Sequence, residues 1–398
     1  MAEPFKAVRI SDRVHWVGAI DWALRDFHGY ATRRGTTYNA YLVMADDVTL
    51  VDTVKAPFRD EFMSRIRSVV DPRDIKVIVS NHSEMDHSGL LPEVVKAIAP
   101  REVLASAAGV KTLSEHFHGL DGLTAVKDGE RRSLGNAALT FYETRMLHWP
   151  DSMISFLDGD GVLFPQDAFG MHLASTERFD DELDPALLDE EAKKYYANIL
   201  MPYSGLVSKA LARLRSLNLP ATLVAPDHGP VWRKGFPGIA ASYAGWAEQR
   251  PTRKAVVAYD TMWGSTAAMA AAIGDGLSEG GASAKLLPMS TTDRSEAATE
   301  VLEAGALLVG SSTLNGQMLP AVADTLTYLR GLKPVNLVGQ AFGSYGWSGE
   351  AVQQVQDALI QMKVRMVGGP LRFRYVPTRE HLASCKEFGL QVAAALRA

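Results

Sequence analysis

Cysteine is almost missing from this chain of 398 residues, where Cys385 is the single example. One thiol excludes an internal disulfide, a Cys-based zinc ribbon and a Cys-ligated iron–sulfur cluster, and it leads us to expect a reducing, cytoplasmic home. Dense Lys/Arg runs are also missing and the net charge is -5. Nothing therefore marks a nucleic-acid or anionic-membrane surface, and a small-molecule substrate is favoured. No uninterrupted apolar stretch is long enough to span a bilayer. The N-terminus, MAEPFKAVRI, carries acid and charge where a signal peptide needs a basic start and an apolar core. Internal repeats and low-complexity tracts are absent as well, so the chain reads as successive globular units. With 47% hydrophobic residues it can bury ample core, and its length predicts two or three domains.

What the sequence does have is a crowded loop, NHSEMDHSG over residues 81–89, which packs His82, Glu84, Asp86 and His87 into six positions. It follows an apolar strand-like run at 75–80 and leads into a helical pattern at 88–98. Alternate residues of an extended loop can converge on one metal, and the adjacent Asp86 and His87 then point elsewhere to serve a second ion. Taken singly, the same loop is a polar cap for the following helix, with Ser88 at its start.

Other strand ends repeat the theme. An antiparallel hairpin is expected from apolar runs at 41–43 and 50–52 around Ala45-Asp46-Asp47, preceded by a Gly- and Arg-rich loop that contains His28. A helix is expected at 59–69. A strand at 139–146 runs into Leu147-His148-Trp149-Pro150, where Pro150 should stop the ladder. Strands at 154–157 and 162–164 flank the turn Asp158-Gly159-Asp160-Gly161, and Asp167 lies just beyond them. Helical stretches at 186–200 and 206–217 contain Tyr195, and a strand at 222–225 ends in Pro226-Asp227-His228-Gly229-Pro230. Singly, His148 beside Trp149 reads as a packed histidine and His228 between prolines as a turn residue. Jointly, four strand ends each deliver a His, Asp or Glu, which is where sheets gather ligand groups.

The second half changes pattern. After a short polar linker at 250–254 (RPTRK), apolar strands at 255–259, 284–289, 306–310, 336–341 and 365–367 alternate with helices near 267–277, 296–304, 320–329, 350–362 and 380–396. This predicts a five-stranded doubly wound α/β unit with its crevice at the carboxyl ends of the strands. The first of those ends, Thr261-Met262-Trp263-Gly264-Ser265-Thr266, lacks both GxGxxG and GK[ST] and resembles a flavodoxin phosphate loop. Its hydroxyls and the N–H groups of the next helix can hold a dianionic phosphate without a lysine, so FMN is the natural ligand. Ser312-Thr313-Leu314-Asn315-Gly316 and Ser344-Tyr345-Gly346-Trp347-Ser348-Gly349 follow the third and fourth strands and can flank a flat ring.

The HxExDH loop and the spaced histidines and aspartates resemble the metallo-β-lactamase fold in its flavodiiron version, and the flavodoxin-like half completes that family's domain order. The resemblance implies an N-terminal metallo-β-lactamase-like αββα sandwich at 1–250 that holds a diiron centre, then a flavodoxin-like FMN-binding domain at 254–398. Glu84 stands where most of the superfamily has a second histidine. A carboxylate there makes a harder, more anionic site that suits non-haem iron and gains zinc little. Carried over by motif, one iron would have His82, Glu84 and His148, the other Asp86, His87 and His228, with Asp167 bridging; in the family the His87 position does not always bind metal. Tyr195 and His28 resemble residues that supply hydrogen bonds or protons. Asp227 departs from the pattern by adding negative charge, and Gly316-Gln317 stands where an Asn and a Gly are frequent. The chain resembles the short form, without fused rubredoxin or reductase modules.

The family implies an oxidoreductase that reduces O2 to water, NO to N2O, or both. Electrons would come through FMN from an external donor such as a rubredoxin or a flavin/NAD(P)H reductase. A head-to-tail homodimer, or a dimer of dimers, would bring the FMN of one chain to the irons of another. Two other readings stand beside this one: a dinuclear zinc hydrolase whose flavodoxin-like module only docks a partner, and a redox module that carries electrons without catalysis.

Overall fold

The strand Ile75–Ser80 is buried along almost its whole length because it lies inside a sheet, between the parallel strands Val48–Val51 and Glu102–Ser106. It is the fifth strand of a seven-stranded sheet that runs, edge to edge, Val8–Arg9, Val14–Trp16, Tyr41–Val43, Val48–Val51, Ile75–Ser80, Glu102–Ser106 and Leu123–Val126. A register shift opposite Val48 and Thr49 pairs Val48 with Ile75 but Thr49 with Val77. That bulge puts Ile75 on the same face as Ile78, while Val77 and Val79 take the other face.

A five-stranded sheet of Arg131–Ser133, Ala138–Glu143, Met153–Asp158, Val162–Phe164 and Leu223–Val224 packs against the first. Val77, Val79, Tyr41 and Leu104 from one sheet and Phe141, Leu157 and Phe164 from the other share one core. The opposite face of the larger sheet is covered by helices. Arg59–Arg67 buries Phe62, Met63 and Ile66 there, and Leu91–Ile98 buries Leu91, Val94 and Ile98. Each such side chain contributes roughly 1.5–3 kcal/mol on full burial. The helix–sheet–sheet order agrees with the sandwich expected from the sequence.

These coordinates come from a computed structural model that describes residues 3–396, and the chain divides into two compact units. The first extends through His28 and includes Thr32–Tyr195 and Gly205–Ala244; the second has Gly29–Ala31, Tyr196–Ser204 and the chain from Gly245. Residues 249–253 join the helix Phe236–Glu248 to the strand Lys254–Asp260.

The second unit is a parallel sheet in the order Ser283–Pro288, Lys254–Asp260, Ala306–Ser311, Val338–Tyr345, with both Arg365–Met366 and Leu371–Arg374 on the outer side of the last. This is the 2-1-3-4-5 order of a flavodoxin-like sheet. The fifth strand expected at 365–367 is therefore broken in two. Gly368 at φ +63 turns the chain and Pro370 has no N–H to donate, so pairing lapses before resuming at Leu371. The helices Ser265–Glu279, Arg294–Val301, Pro320–Leu332, Glu350–Gln361 and Arg379–Ala395 lie close to their expected spans. Among the described residues no helix is long and apolar enough to cross a membrane.

Candidate functional site

The expected metal-ligating side chains stand just past strand ends, as the sequence suggested. His82 and Glu84 follow Ile75–Ser80, Asp167 follows Val162–Phe164, and His228 follows Leu223–Val224. Two local expectations need correction. Asp86 and His87 are not in an extended loop but on the single helical turn Met85–Ser88. Within that turn His87 Nε2 lies 3.4 Å from Asp86 Oδ2. The strand expected at 139–146 ends at Glu143, and Pro150 does not end it. A turn does so first: Thr144 N donates to Ser152 O, and Met146, at φ +65, donates to Trp149 O.

Buried polar groups hold each loop in place. Asp52 accepts from Asn81 N at 2.8 Å and from Asn81 Nδ2 at 3.0 Å, which fixes the start of the first loop. Asp151 accepts from Ser83 N at 2.9 Å, between His82 and Glu84. Thr53 donates from both N and Oγ1 to His87 O. Gln166 donates to Leu147 O beside His148, accepts from Asp167 N and takes Asp227 N on its carbonyl, so it connects three ligand loops.

The ligand side chains gather into two groups that meet at Asp167. Asp167 Oδ2 lies 3.3 Å from His82 Nε2 and 3.1 Å from His148 Nε2, while Glu84 Oε2 is 3.2 Å and 3.0 Å from the same two nitrogens. Asp167 Oδ1 lies 3.3 Å from His87 Nε2 and 3.6 Å from His228 Nε2, and Asp86 Oδ2 is 3.3 Å from His228 Nε2. Donor atoms bound about 2.1 Å from one ion, at roughly right angles, lie about 3 Å apart, so both groups have the spacing of a ligand set. Both carboxylate oxygens of Asp86 and the Oδ1 of Asp167 are buried without a hydrogen-bond partner, which leaves their lone pairs for an ion.

The charges point the same way. Burial alone would raise the Glu84 carboxyl, but hydrogen bonds with His148 and His82 hold it well below the usual carboxylate range. Burial acts likewise on Asp167, and His82, His148 and His87 hold it well below its ordinary value. Burial would push the imidazoles down, yet the surrounding carboxylates raise His82 well above its ordinary value, His87 to about 10 and His148 to about 9. Three buried carboxylates so placed demand positive charge among them, and paired hard cations meet that demand.

His28, at φ +55 in the turn before Gly29, keeps a side chain that is 77% exposed, with Nε2 3.7 Å from Glu84 Oε1. It lines a cavity of about 480 Å³ with Lys55 and Met85, open to solvent, whose floor includes Glu84 and Asp86. Tyr195 is buried, its ring 6.1 Å from that of His228, and burial keeps its phenol protonated by pushing it well above the ordinary range. Sequence reasoning missed His172. It is buried with its ring 4.7 Å from His228 and 5.1 Å from Tyr195, and its Nδ1 is 2.9 Å from Thr36 Oγ1. It stands in a stretch without periodicity; the only signal was a histidine five residues after Asp167. Asp227 is fully buried, and burial together with Asp52 pushes its carboxyl well above the usual range.

In the second unit, Met262, Trp263, Ser265, Thr313, Asn315, Ser344, Tyr345, Gly346, Trp347 and Ser348 line one cavity of about 390 Å³, joined by Ser312, Tyr375 and Val376. Trp263 and Trp347 are 92% and 89% exposed at its rim. Thr261, Gly264, Thr266, Leu314, Gly316 and Gly349 do not line it but shape its loops. Thr261 Oγ1 accepts from Gly264 N, and Gly264, at φ +84, begins the helix Ser265–Glu279. Thr266 Oγ1 is buried 3.0 Å from Ser312 Oγ and 3.1 Å from Ser344 Oγ, so it ties three strand ends together. Asn315 and Gly316, at φ +53 and +71, form the tight turn of a hairpin between Thr313–Leu314 and Gln317–Met318.

Comparison with known proteins agrees with both halves. Residues 36–229 match the family model described as ODP family beta lactamase, and residues 257–389 match Flavodoxin. The chain is 44% identical over 398 residues to a protein named nitric oxide reductase from Moorella thermoacetica, covering 99% of each. It superposes on rubredoxin oxygen:oxidoreductase from Desulfovibrio gigas with a TM-score of 0.96 at 42% identity, covering 98% of this chain and 99% of that one. For the flavodiiron protein from Giardia intestinalis the TM-score is 0.94 at 31% identity, with 98% and 97% covered. With a sandwich that gathers seven candidate ligand residues in its first unit, a flavodoxin-like sheet in its second and relatives matching from end to end, the chain belongs to the flavodiiron proteins.

Proposed function

We propose that this chain reduces O2 to water, NO to N2O, or both, at an iron pair held by its first unit, using electrons that enter through FMN in its second. Residues 1–250 form the iron-bearing domain and 254–398 the flavin-bearing one. The observation that carries the reading is the division of Asp167 between two ligand groups, Oδ2 toward His82 and His148 and Oδ1 toward His87 and His228. In this reading His82, Glu84 and His148 hold one iron, Asp86, His87 and His228 the other, and Asp167 joins them. Relatives named nitric oxide reductase and rubredoxin-oxygen oxidoreductase support the choice of gases.

When bound, the iron pair and the flavin supply the redox chemistry, together storing the four electrons that O2 needs to become water. The chain's residues do the rest. The open cavity over Glu84 and Asp86 admits a small gas, and His28 Nε2 at its rim stands ready to hand on a proton. The Tyr195 phenol, kept protonated by burial, is a fixed hydrogen-bond donor near His228. The exposed Trp263 and Trp347 cover the flavin cavity without closing it to an external donor of the rubredoxin or flavin/NAD(P)H reductase kind. The lone cysteine fits a cytoplasmic setting. Two copies pair head to tail, so that the flavin of one chain serves the irons of the other. Anaerobic reduction followed by rapid mixing with O2 or NO tests the proposal.

A further inference from the structure

We infer that Asn39 is a positioning residue for one half of the metal centre: its side chain holds the loop that carries His228. This rests on the reading of that centre given above.

The loop Pro226-Asp227-His228-Gly229-Pro230 is poor at holding itself. Its two prolines have no N–H, and Gly229 sits at φ +76. Its remaining backbone groups are met from outside, largely by the segment around Asn39. Asn39 Nδ2 donates to Pro226 O at 2.7 Å and to Gly229 O at 2.9 Å, one bond on each side of His228. Asn39 N donates to Asp227 O at 2.7 Å. His228 itself is turned by Thr37, whose carbonyl accepts from Nδ1 at 2.6 Å and whose Oγ1 accepts from Gly229 N at 2.8 Å. With Nδ1 so used, Nε2 faces Asp86 and Asp167.

An amide offers two N–H donors and an acceptor oxygen, and here all are used. Asn39 Oδ1 accepts from Trp16 Nε1 at 2.8 Å, which sets the plane of the amide. Two guanidiniums in turn lie against the Trp16 ring, Arg178 at 4.4 Å and Arg65 at 4.6 Å. Asn39 is completely buried, so no water can replace its bonds. The chain of contacts runs from Arg178 and Arg65 through Trp16 and Asn39 to the backbone around His228, and it touches none of the other ligand loops' side chains by a hydrogen bond among the described residues. Losing it should therefore loosen one metal half and spare the other.

The test uses FMN-loaded, iron-loaded protein. Wild type, Asn39→Leu and Asn39→Asp are challenged with an iron chelator under anaerobic conditions, while iron release, FMN content and Mössbauer spectra are followed. Leucine fills the space without hydrogen bonds; aspartate keeps the Trp16 bond but turns an acceptor toward two carbonyls. In both, one iron should leave about ten- to a hundred-fold faster, the usual cost of removing an outer partner of a ligand, with the second iron and the FMN at wild-type rates. Equal acceleration of both irons, or wild-type rates for both in a folded variant, overturns the inference. If neither Asn39 variant folds, Trp16→Phe decides by the same readout, since it withdraws the bond that orients the amide while keeping an aromatic ring in place; selective loss of one iron supports the inference and unchanged or parallel release contradicts it. Wild type without iron would instead overturn the reading of the metal centre.

Discussion

The Nε2 atoms of His87 and His228 face each other at 3.1 Å in a fully buried setting. His228 commits its Nδ1 hydrogen to Thr37 O, so its Nε2 is the nitrogen left to face His87. Two imidazole nitrogens at this spacing suit a shared cation, as neighbouring ligands of one ion do. His87→Ala should accordingly lower iron from two toward one per chain and leave FMN unchanged, as measured by metal analysis and flavin absorbance. Two irons retained with unchanged spectra would mean that His87 is no ligand in this chain.

Glu84 touches His82 and His148 through the same oxygen, Oε2, at 3.2 and 3.0 Å. Replacing it by histidine removes a hard anionic donor and leaves a ligand set that zinc accepts more readily. Glu84→His should bind zinc in place of iron and lose gas reduction while the flavin half is undisturbed. Elemental analysis that finds iron in the variant, or any preserved oxidase turnover, contradicts the role given to Glu84.

Gly264 stands at φ +84 with open space where a Cβ would go, so the demand for glycine there is conformational and not one of room. A side chain in this region costs about 1–2 kcal/mol, and more when β-branched. Gly264→Val should release FMN about ten-fold more readily or worse. Thr266→Ala acts indirectly, by freeing Ser312 and Ser344 at the cavity wall, and should cost about 1–2 kcal/mol. Flavin fluorescence checks both, with iron content expected to stay constant.

The parts of the fold that were legible were those whose periodicity is set locally. The continuous apolar runs at 255–259 and 306–310 and the periodic helices between them are local signals, and the seven ligand-type residues were visible because each comes after a strand. Where the sequence reading missed, a local signal yielded to tertiary context. The step from extended chain to a helical turn at Met85 cannot be seen in four residues. Asn315-Gly316 is a strong hairpin signal, yet its strands are only two residues each and left no periodic trace. His172 becomes part of the site only through Thr36 and Tyr195, which lie far from it in sequence.

Head-to-tail pairing makes a prediction that needs no structure of the dimer. His148→Ala spoils one iron site and Gly264→Val the flavin site, so each homodimer should be inactive. A purified heterodimer of the two has one chain's FMN opposite the other chain's intact irons, and activity should return to a fraction of wild type. A heterodimer as inactive as its parents would show that electrons pass within a chain.

The most direct test is to load the protein with iron and FMN, reduce it fully without oxygen, and mix it rapidly with O2 and separately with NO while following the flavin and the gas. The flavin should be oxidised within the first turnovers, with water and no released peroxide from O2, or N2O from NO, and with loss of both in Asp167→Ala. Slow reoxidation with stoichiometric peroxide and no N2O, or equal rates in Asp167→Ala, would contradict the proposed function.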